Sequence, residues 1–313
     1  MNIIVSGSLA YDRIMDFPGL FADHILPEKI HNINVCFMVN GLQEKFGGTA
    51  GNIAYNLALL GASPLIVAAA GKDFGRYRQW LLDHNMSLAG IRQVDDEFTA
   101  GAYITTDQAN NQITGFNPGA MNRSARYDVN GLDPADALGI IAPGNLEDMR
   151  TYSRRFKEMG LRYIFDPGQS IPALSADDLV EMTTGATLLI SNDYEMEMIK
   201  RATGLDLPQI LQRCQAVITT LGENGSILHA TDGDVHVDAA DNDGVVDPTG
   251  AGDAYRAGVL MGMAEGRELT TCARMGSVCA SFAVSRHGTQ DHRFTPEQFW
   301  RRFEVCYGRP SAA

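Results

Sequence analysis

Short runs of apolar, mostly β-branched residues alternate with segments of helical periodicity along most of the chain. The first run is Ile3–Ser6, and similar runs follow at Leu65–Ala70, Gly139–Ala142, Tyr163–Asp166, Thr187–Ile190 and Ala216–Thr219. Between the runs, Ile53–Leu60 and Tyr77–His84 have the apolar spacing of helices. Strands that are apolar on both faces and separated by helices are typical of a mostly parallel sheet covered on both sides. The pattern predicts an α/β fold with a doubly wound sheet.

Two parts of the chain interrupt this alternation. Ile33–Val39 alternates as a strand does, and Ala102–Thr106 and Gln112–Phe116 flank the polar DQANN as the arms of a hairpin would. A few strands cannot form an independent domain, so we expect a small sheet that covers the main body as a lid. Ordinary edge strands are the alternative. We therefore treat residues 1–313 as one domain, with lid segments at about 13–45 and 98–122.

Composition limits the classes of partner. With 45% apolar and 20% charged residues, the chain can form a large core and a soluble surface. Its 25 basic and 38 acidic residues give a net charge of −13, which repels phosphate backbones and anionic lipid. We expect no nucleic acid and no membrane as partner. A phosphorylated small molecule would need a local feature that overcomes this repulsion.

The cysteines and the beginning of the chain indicate a cytoplasmic protein. The five cysteines are widely scattered and odd in number, as is typical of free thiols in a reducing compartment. No basic residue precedes the first apolar run, which favours a strand over a signal peptide. No apolar stretch is long enough to span a membrane.

The segment DPTGAGDAYRAG, Asp247–Gly258, carries the clearest chemical signal. Gly250 and Gly252 let the backbone approach a ligand closely at the beginning of a predicted helix, Ala251–Ala264. The first N–H groups of a helix have no partner within it and lie at the positive end of the dipole, so they can bind an anion. Asp253, in the first turn, could accept a proton from a hydroxyl group there. A plain helix-capping role is equally compatible with the pattern.

The segment FGGTAGNIAYNLALLG, Phe46–Gly61, also has glycines before a helix. Asn52 supplies both an amide donor and a carbonyl acceptor, the combination that vicinal hydroxyl groups need. Glycines that only pack a helix tightly against a strand would give the same pattern. Asp12 follows the first strand, at the carboxyl edge where open α/β sheets bind ligands, although a turn residue is the simpler interpretation.

Two further segments have weaker signals. In ISNDYEMEMI, Asn192 and Glu195 follow a strand and begin a helix; their oxygens suit hydrated magnesium, but an N-cap with acidic first-turn residues gives the same pattern. In ITTLGENGSIL, Thr220 and Gly222 end one strand and Gly225 precedes another, which a hairpin also explains.

Taken in order, Asp12, GGTAGN, the Asn192/Glu195 pair, TLGENG and DPTGAGD resemble the ribokinase-like (PfkB) family of sugar and nucleoside kinases. The resemblance covers nearly the whole chain. It implies an ATP-dependent phosphotransferase with the ribokinase-like α/β fold and its small lid.

The resemblance also implies roles for individual residues. The catalytic group would be Asp253, with an anion hole formed by the backbone of Gly250, Ala251 and Gly252. Substrate hydroxyl groups would be bound by Asp12, Gly47, Gly48 and Asn52. ATP would contact Asn192, Thr220, Gly222, Gly225 and Gly252, and magnesium would be held, through water, by Asn192 and Glu195. A potassium site would involve Asp247, Thr249, Ala283, Arg286 and Gly288.

Three departures bear on the substrate and the cation. Pro248 stands where the family usually has threonine, which leaves potassium dependence open. Thr49 replaces a lysine that many sugar kinases have, and Ala142–Pro143–Gly144 lacks the sugar-binding glutamate of ribokinase. Both of these differences disfavour free ribose.

Aromatic residues of the lid favour a nucleoside. Phe37 and Phe116 would give a nucleobase an apolar wall, and Gln112–Met121 resembles the lid of bacterial adenosine kinases. A small core formed by the lid itself explains each aromatic residue equally well. We predict an adenosine kinase-like enzyme that acts as a monomer or as a homodimer through the lid. A sugar kinase of the same family and a non-catalytic nucleotide-binding regulator are the alternatives.

Overall fold

A computed structural model describes residues 1–309 and contains two separate sheets. The large sheet has nine strands. In chain order they are β1 (Asn2–Ser6), β4 (Leu65–Gly71), β5 (Ile91–Val94), β8 (Ala137–Ile141), β9 (Arg162–Phe165), β10 (Leu188–Asn192), β11 (Ala216–Thr220), β12 (Ser226–Ala230) and β13 (Gly233–Val237). The small sheet consists of β2 (Ala10–Asp16), β3 (Asn40–Gly47), β6 (Ala100–Thr106) and β7 (Gln112–Asn117). All six strands predicted for the main sheet are present.

Strand order places a crevice beside β1. The large sheet runs β13-β12-β11-β10-β9-β8-β1-β4-β5, and only β12 runs in the direction opposite to the other strands. The chain leaves β1 toward β4 on one side and later returns to β8 on the other. Open α/β sheets bind ligands outside the carboxyl ends of their strands at such a reversal of strand order. The doubly wound sheet predicted from the sequence is confirmed.

Helices cover the large sheet, and their apolar faces form its core. They are α1 (Thr49–Leu59), α2 (Gly75–Asp83), α3 (Leu146–Met159), α4 (Ala176–Thr183), α5 (Asp193–Thr203), α6 (Leu207–Leu211), α7 (Ala251–Ala264), α8 (Leu269–Ala283) and α9 (Pro296–Tyr307). Central strand residues such as Val5, Ile140 and Ile190 are completely buried between them. Among residues 1–309, no helix has the length and apolar character needed to cross a membrane.

The small sheet, in the order β3-β2-β6-β7, differs from its prediction in two places. Ile33–Val39 was expected as a strand, but a 3-10 helix occupies Pro27–Asn32 and irregular backbone follows until β3 begins at Asn40. The alternation does not form a strand here because the Phe37 ring packs against Phe17 and Phe21. Its ring centroid lies 4.9 Å from that of Phe17 and 5.0 Å from that of Phe21. The sheet also begins earlier than predicted, at Ala10, so that Asp12 lies within β2.

Close backbone contacts join the small sheet to α1. Only Gly7, Ser8 and Leu9 separate β1 from β2, and the Ser8 carbonyl accepts the N–H of Ala50 at 3.0 Å. Gly48 has φ +85°, and a Cβ there would lie 2.6 Å from the Ser8 carbonyl oxygen. Glycine is therefore required at this position for steric and conformational reasons together.

A second glycine of this region lies against a buried hydroxyl group. A Cβ at Gly51 would lie 1.8 Å from the Tyr77 hydroxyl oxygen, which donates to the Gly47 carbonyl at 2.8 Å.

We expect Gly51→Ala to lower the free energy of unfolding by about 1–3 kcal/mol, because the added methyl group overpacks a closed site. Gly75→Ala is the matched control, since a Cβ there meets no atom within 4 Å. Urea unfolding of both variants would measure the difference. Equal stability of the two variants would contradict the packing described here.

Candidate active site

The N-terminus of α7 presents free backbone donors. Gly250 caps this helix with φ +83°, and its Cβ position is closed by Thr289 at 2.9 Å. Ala251 N–H, expected as part of an anion hole, donates to the Pro248 carbonyl at 3.2 Å. Within residues 1–309, the N–H groups of Gly250, Gly252 and Asp253 have no protein acceptor. These three donors and the helix dipole form a local positive site.

Asp253 is held in place by a chain of hydrogen bonds. The Asn52 side-chain amide donates to Asp253 Oδ2 at 2.8 Å, and Asn52 Oδ1 accepts from Gln290 Nε2 at 3.0 Å. Trp80 Nε1 in turn donates to Gln290 Oε1 at 2.9 Å. Because the Trp80 indole N–H can only donate, Gln290 must accept through Oε1 and donate through Nε2, which directs the oxygen of the Asn52 amide toward Gln290 and its nitrogen toward Asp253.

Asp12 approaches the same place from the small sheet. It lies on β2 opposite Lys45, and a Cβ on Gly47 would lie 2.6 Å from Asp12 Oδ2. Glycine at 47 thus leaves room for the Asp12 carboxylate. Of the residues predicted to bind hydroxyl groups, Asp12 and Gly47 are in contact, and Asn52 is hydrogen-bonded to Asp253.

Burial shifts the protonation of both carboxylates. It raises the pKa of Asp253 to about 6, against the lowering effects of the Asn52 hydrogen bond and the Arg256 charge. It also raises the pKa of Asp12, and the Asp247 charge adds to this effect. A carboxylate with such a pKa is ionised at neutral pH yet basic enough to accept a proton.

A buried ion pair, absent from the predictions, supports the beginning of α7. Arg256 forms a bidentate pair with Asp166, which follows β9, and its side chain is only 8% exposed. Arg256 also donates to the Gly252 carbonyl at 3.0 Å, and its Nη2 lies 3.9 Å from Glu195 Oε2. Through Asp166 and Glu195, Arg256 therefore links the carboxyl ends of β9 and β10 to the glycine turn.

Asn192 and Glu195 form a capping box at the beginning of α5. Asn192 Oδ1 accepts the N–H of Glu195 at 2.7 Å, and Glu195 Oε2 accepts the N–H of Asn192 at 2.8 Å. Burial raises the pKa of Glu195, although the Asn192 hydrogen bond lowers it. No group of three or more His, Cys, Asp or Glu side chains within residues 1–309 could hold a metal ion.

Four of the five residues predicted to contact ATP line one cavity of about 380 Å³. These are Thr220, Gly222, Gly225 and Gly252. Asn192 is not among its lining residues. Helix α8 contributes residues that were not predicted, at helical spacing: Ser277, Ala280, Ser281 and Val284. Small side chains on this helix leave room for a flat group.

The predicted cation loop is closed by hydrogen bonds. Asp247 Oδ1 accepts the N–H of Thr249 at 2.9 Å, and Oδ2 accepts the N–H of Gly288 at 3.0 Å. Burial alone would raise the pKa of Asp247, but these backbone donors outweigh it and lower the pKa. The loop beyond α8, which contains Arg286, is thereby joined to the glycine turn.

The two aromatic residues predicted to face a substrate have different surroundings. Phe37 packs on Phe17 and Phe21 within the small sheet's own aromatic cluster. Phe116, on β7, is 53% exposed and lines a cavity of about 650 Å³ that also touches Met121 and Pro143–Asn145. Because the Pro143 carbonyl accepts from Thr49 Oγ1 at 2.6 Å, this cavity lies beside the beginning of α1.

The pKa values of Asp253 and Asp247 are shifted in opposite directions, which gives a test of the geometry of the site. Because the pKa of Asp253 is raised by folding, its ionised form destabilises the protein above that pKa, and the cost disappears as the pH falls through about 6. We expect Asp253→Asn to raise the free energy of unfolding at about pH 8 by about 2 kcal/mol, discounted for partial exposure, and by little at about pH 4.

Asp247→Asn is the control variant, in which we expect the free energy of unfolding to change in the opposite direction. The lowered pKa of Asp247 means that its ionised form stabilises the protein at neutral pH, and this contribution is lost on acidification. Chemical unfolding at both pH values would measure the two effects. A loss of stability in Asp253→Asn at high pH would contradict the environment described for that carboxylate.

Comparison with known proteins shows which family this chain belongs to. The chain is 31% identical over 315 residues to a nucleoside kinase of Methanothermobacter thermautotrophicus, covering 98% of this chain and 97% of the relative. A structure of Burkholderia thailandensis nucleoside kinase in complex with inosine is 35% identical, with a TM-score of 0.87 over 99% of this chain and all of that one.

Methanocaldococcus jannaschii nucleoside kinase, described as an archaeal member of the ribokinase family, has the same TM-score of 0.87 at 28% identity, over 97% of this chain and 99% of that one. Residues 19–296 match the model of the pfkB family of carbohydrate kinases. The chain therefore belongs to the pfkB carbohydrate kinase family and is a phosphotransferase with a hydroxyl group as acceptor.

Proposed function

We propose that this chain is an ATP-dependent nucleoside kinase that phosphorylates the 5′-hydroxyl group of a ribonucleoside, with adenosine as the first candidate. The observation that carries the proposal is the position of the Asp253 carboxylate. It is fixed by Asn52, lies beside the free N–H groups of Gly250 and Gly252, and is close enough to Asp12 to feel its charge.

The residues of the site have complementary tasks in this proposal. Asp12, Gly47, Gly48 and Asn52 would bind the ribose hydroxyl groups, and the small sheet would exclude water. Asp253 would accept the proton of the attacking hydroxyl group. The N–H groups of Gly250 and Gly252 would offset the negative charge that grows on the transferred phosphoryl group, the main requirement of this chemistry. These donors are neutral backbone, so the net charge of −13 does not prevent anion binding there.

A nucleobase suits the site better than a free sugar. The cavity beside Phe116 is large enough for a base and combines an aromatic ring with the polar side chains of Asn122 and Gln169. The relatives reported above are nucleoside kinases, and one was solved with inosine, which supports a purine nucleoside. We assign base stacking to Phe116, since the Phe37 ring packs on two phenylalanines.

Membership of a kinase family implies ATP as donor, and we propose that its base occupies the cavity beside α8. Magnesium would enter with the ATP phosphates and neutralise part of their charge. Glu195 and Asn192 would hold it through water, since the capping box already uses the Asn192 side-chain oxygen and one of the two Glu195 oxygens.

Potassium binding and assembly are further parts of the proposal. Thr249, Asp247, and the carbonyl groups near Ala283, Arg286 and Gly288 would hold a monovalent cation, although both Asp247 oxygens already accept backbone N–H groups. The small sheet and the segment before β3 expose apolar side chains such as Leu42, Ile30 and Met38, which favours the homodimer over the monomer. Five unpaired thiols among the described residues fit a cytoplasmic location.

Removal of the Asp253 carboxylate tests the proposed chemistry. We expect Asp253→Asn to bind ATP normally but to lose roughly three or more orders of magnitude in turnover, because a positioned base is gone. The wild-type kcat/KM should fall as the pH decreases through about 6, where Asp253 becomes protonated. Adenosine, inosine, ribose and fructose should be assayed side by side with ATP.

The panel separates the competing functions. Faster turnover of ribose or fructose would establish a sugar kinase, and ATP binding without transfer to any acceptor would establish a regulator. Near-normal turnover in Asp253→Asn would show that Asp253 is not the general base.

Base recognition has its own test. We expect Phe116→Ala to raise KM for adenosine by about tenfold while leaving any residual activity on free ribose unchanged, because a stacking surface contributes about 1 kcal/mol or more. Phe37→Ala is the comparison variant, and its effect should be similar for both acceptors. An equal effect of Phe116→Ala on both acceptors would place the base elsewhere.

A further inference from the structure

Another cavity, lined largely by charged residues, lies between α8 and α9 and shares the lining residue Asn242 with the nucleotide cavity. It has a volume of about 500 Å³ and is lined by four arginines, Arg286, Arg293, Arg301 and Arg302. Asp241 and Asp243 are its acidic lining residues, and Phe282 forms an apolar wall. A concentration of positive charge is unexpected on a chain whose net charge is −13.

Only one of these arginines has a clear structural task. Arg302 pairs with Asp243, donates to Ser281 Oγ at 3.1 Å and lies over the Phe282 ring at 3.8 Å. Arg293 lies over Trp80, 5.9 Å from the ring centroid, and remains exposed. Within the described part of the chain, Arg286, Arg293 and Arg301 form no ion pair with a carboxylate. Pairing with a carboxylate therefore accounts for the position of Arg302. The guanidinium groups of the other three arginines line the cavity without such a partner among the described residues.

The chemistry of the lining specifies an anion. Guanidinium groups bind phosphate oxygens in pairs, and several around one cavity favour a doubly charged phosphate group over a carboxylate. The volume lies in the range of small-molecule sites and excludes a folded partner. We propose that this cavity binds a phosphate-bearing small molecule, at a place distinct from the glycine turn of α7.

The cavity is connected to the nucleotide site through two loops. Asn242 lines both cavities, so the segment 241–246 separates them. Val246 and Asp247 donate their N–H groups to the Val284 carbonyl at 2.8 and 3.2 Å, directly before Ser285 and Arg286 of the arginine cavity. A bound anion would order this segment, and we therefore expect it to strengthen ATP binding on the other side.

Binding can be tested with inorganic phosphate by isothermal titration calorimetry. Arg301→Glu reverses one charge at an exposed position of α9, and Arg78→Glu makes the same change at an exposed position of α2, outside the cavity. Phosphate binding at the glycine turn is common to all variants, so the cavity's contribution is the difference between them. We expect Arg301→Glu to weaken the second phosphate site by about tenfold or more, and Arg78→Glu to match the wild type.

The source of the phosphate is distinguished by two further titrants. If AMP binds more tightly than inorganic phosphate and the difference disappears in Arg301→Glu, the ligand is a nucleotide whose nucleoside part also contacts the cavity. Equal affinities would identify the phosphate group alone as the recognised feature. Neutral adenosine should bind wild type and Arg301→Glu alike, because it lacks the group that the arginines bind.

Two results would overturn the inference. Equal phosphate binding by the wild type and Arg301→Glu, with both folded by circular dichroism, would show that the arginines form no site. The coupling is tested by titrating ATP with and without phosphate. We expect phosphate to improve ATP affinity by about fivefold in the wild type relative to Arg301→Glu. The same response in both proteins would refute the link through segment 241–246. Neither measurement depends on which acceptor the enzyme phosphorylates.

Discussion

The hydrogen bond between Asn52 and Asp253 joins the two halves of the molecule at the place where the chemistry is proposed. One partner is on α1, next to the small sheet, and the other is in the first turn of α7, about two hundred residues later. A buried carboxylate is costly unless donors satisfy it, so the Asn52 amide and the helix N-terminus keep Asp253 ionisable. Gln290 and Trp80 fix that amide from behind. The geometry of the site thus depends on a contact between segments that are distant in the sequence.

Much of the fold could be predicted because its signals are local. Apolar runs such as Leu65–Ala70 identify strands by themselves, and glycines before Asn52 and Asp253 identify the turns at two helix N-termini. The small sheet was harder, because its alternation has no large core to enforce it. At Ile33–Val39 the apolar residues pack as an aromatic cluster and form no pleat.

The supporting residues of the site could not be predicted for a different reason. Asp166, Arg256 and Gln290 have ordinary surroundings in the sequence, and their importance arises only when β9, α7 and the segment after α8 come together. One signal was available for Arg256, which follows Asp253 by three residues and so lies on the same face of the helix. The hydrogen bond from the Ala251 N–H to the Pro248 carbonyl could not be predicted either, because it forms in a turn that only the backbone geometry shows.

The positions of Asp12 on β2 and Asp253 on α7 affect whether the phosphoryl group can be transferred to water instead of the acceptor. The acceptor's anchor belongs to the small sheet and its base to a helix of the main body, and Gly7, Ser8 and Leu9 connect the small sheet to β1 of that body. Under the proposed roles, the reacting oxygen is aligned only in an acceptor that reaches both the small sheet and the first turn of α7. A water molecule is too small to contact both. The division of the site between the small sheet and α7 would thus suppress wasteful hydrolysis of the donor when no acceptor is bound.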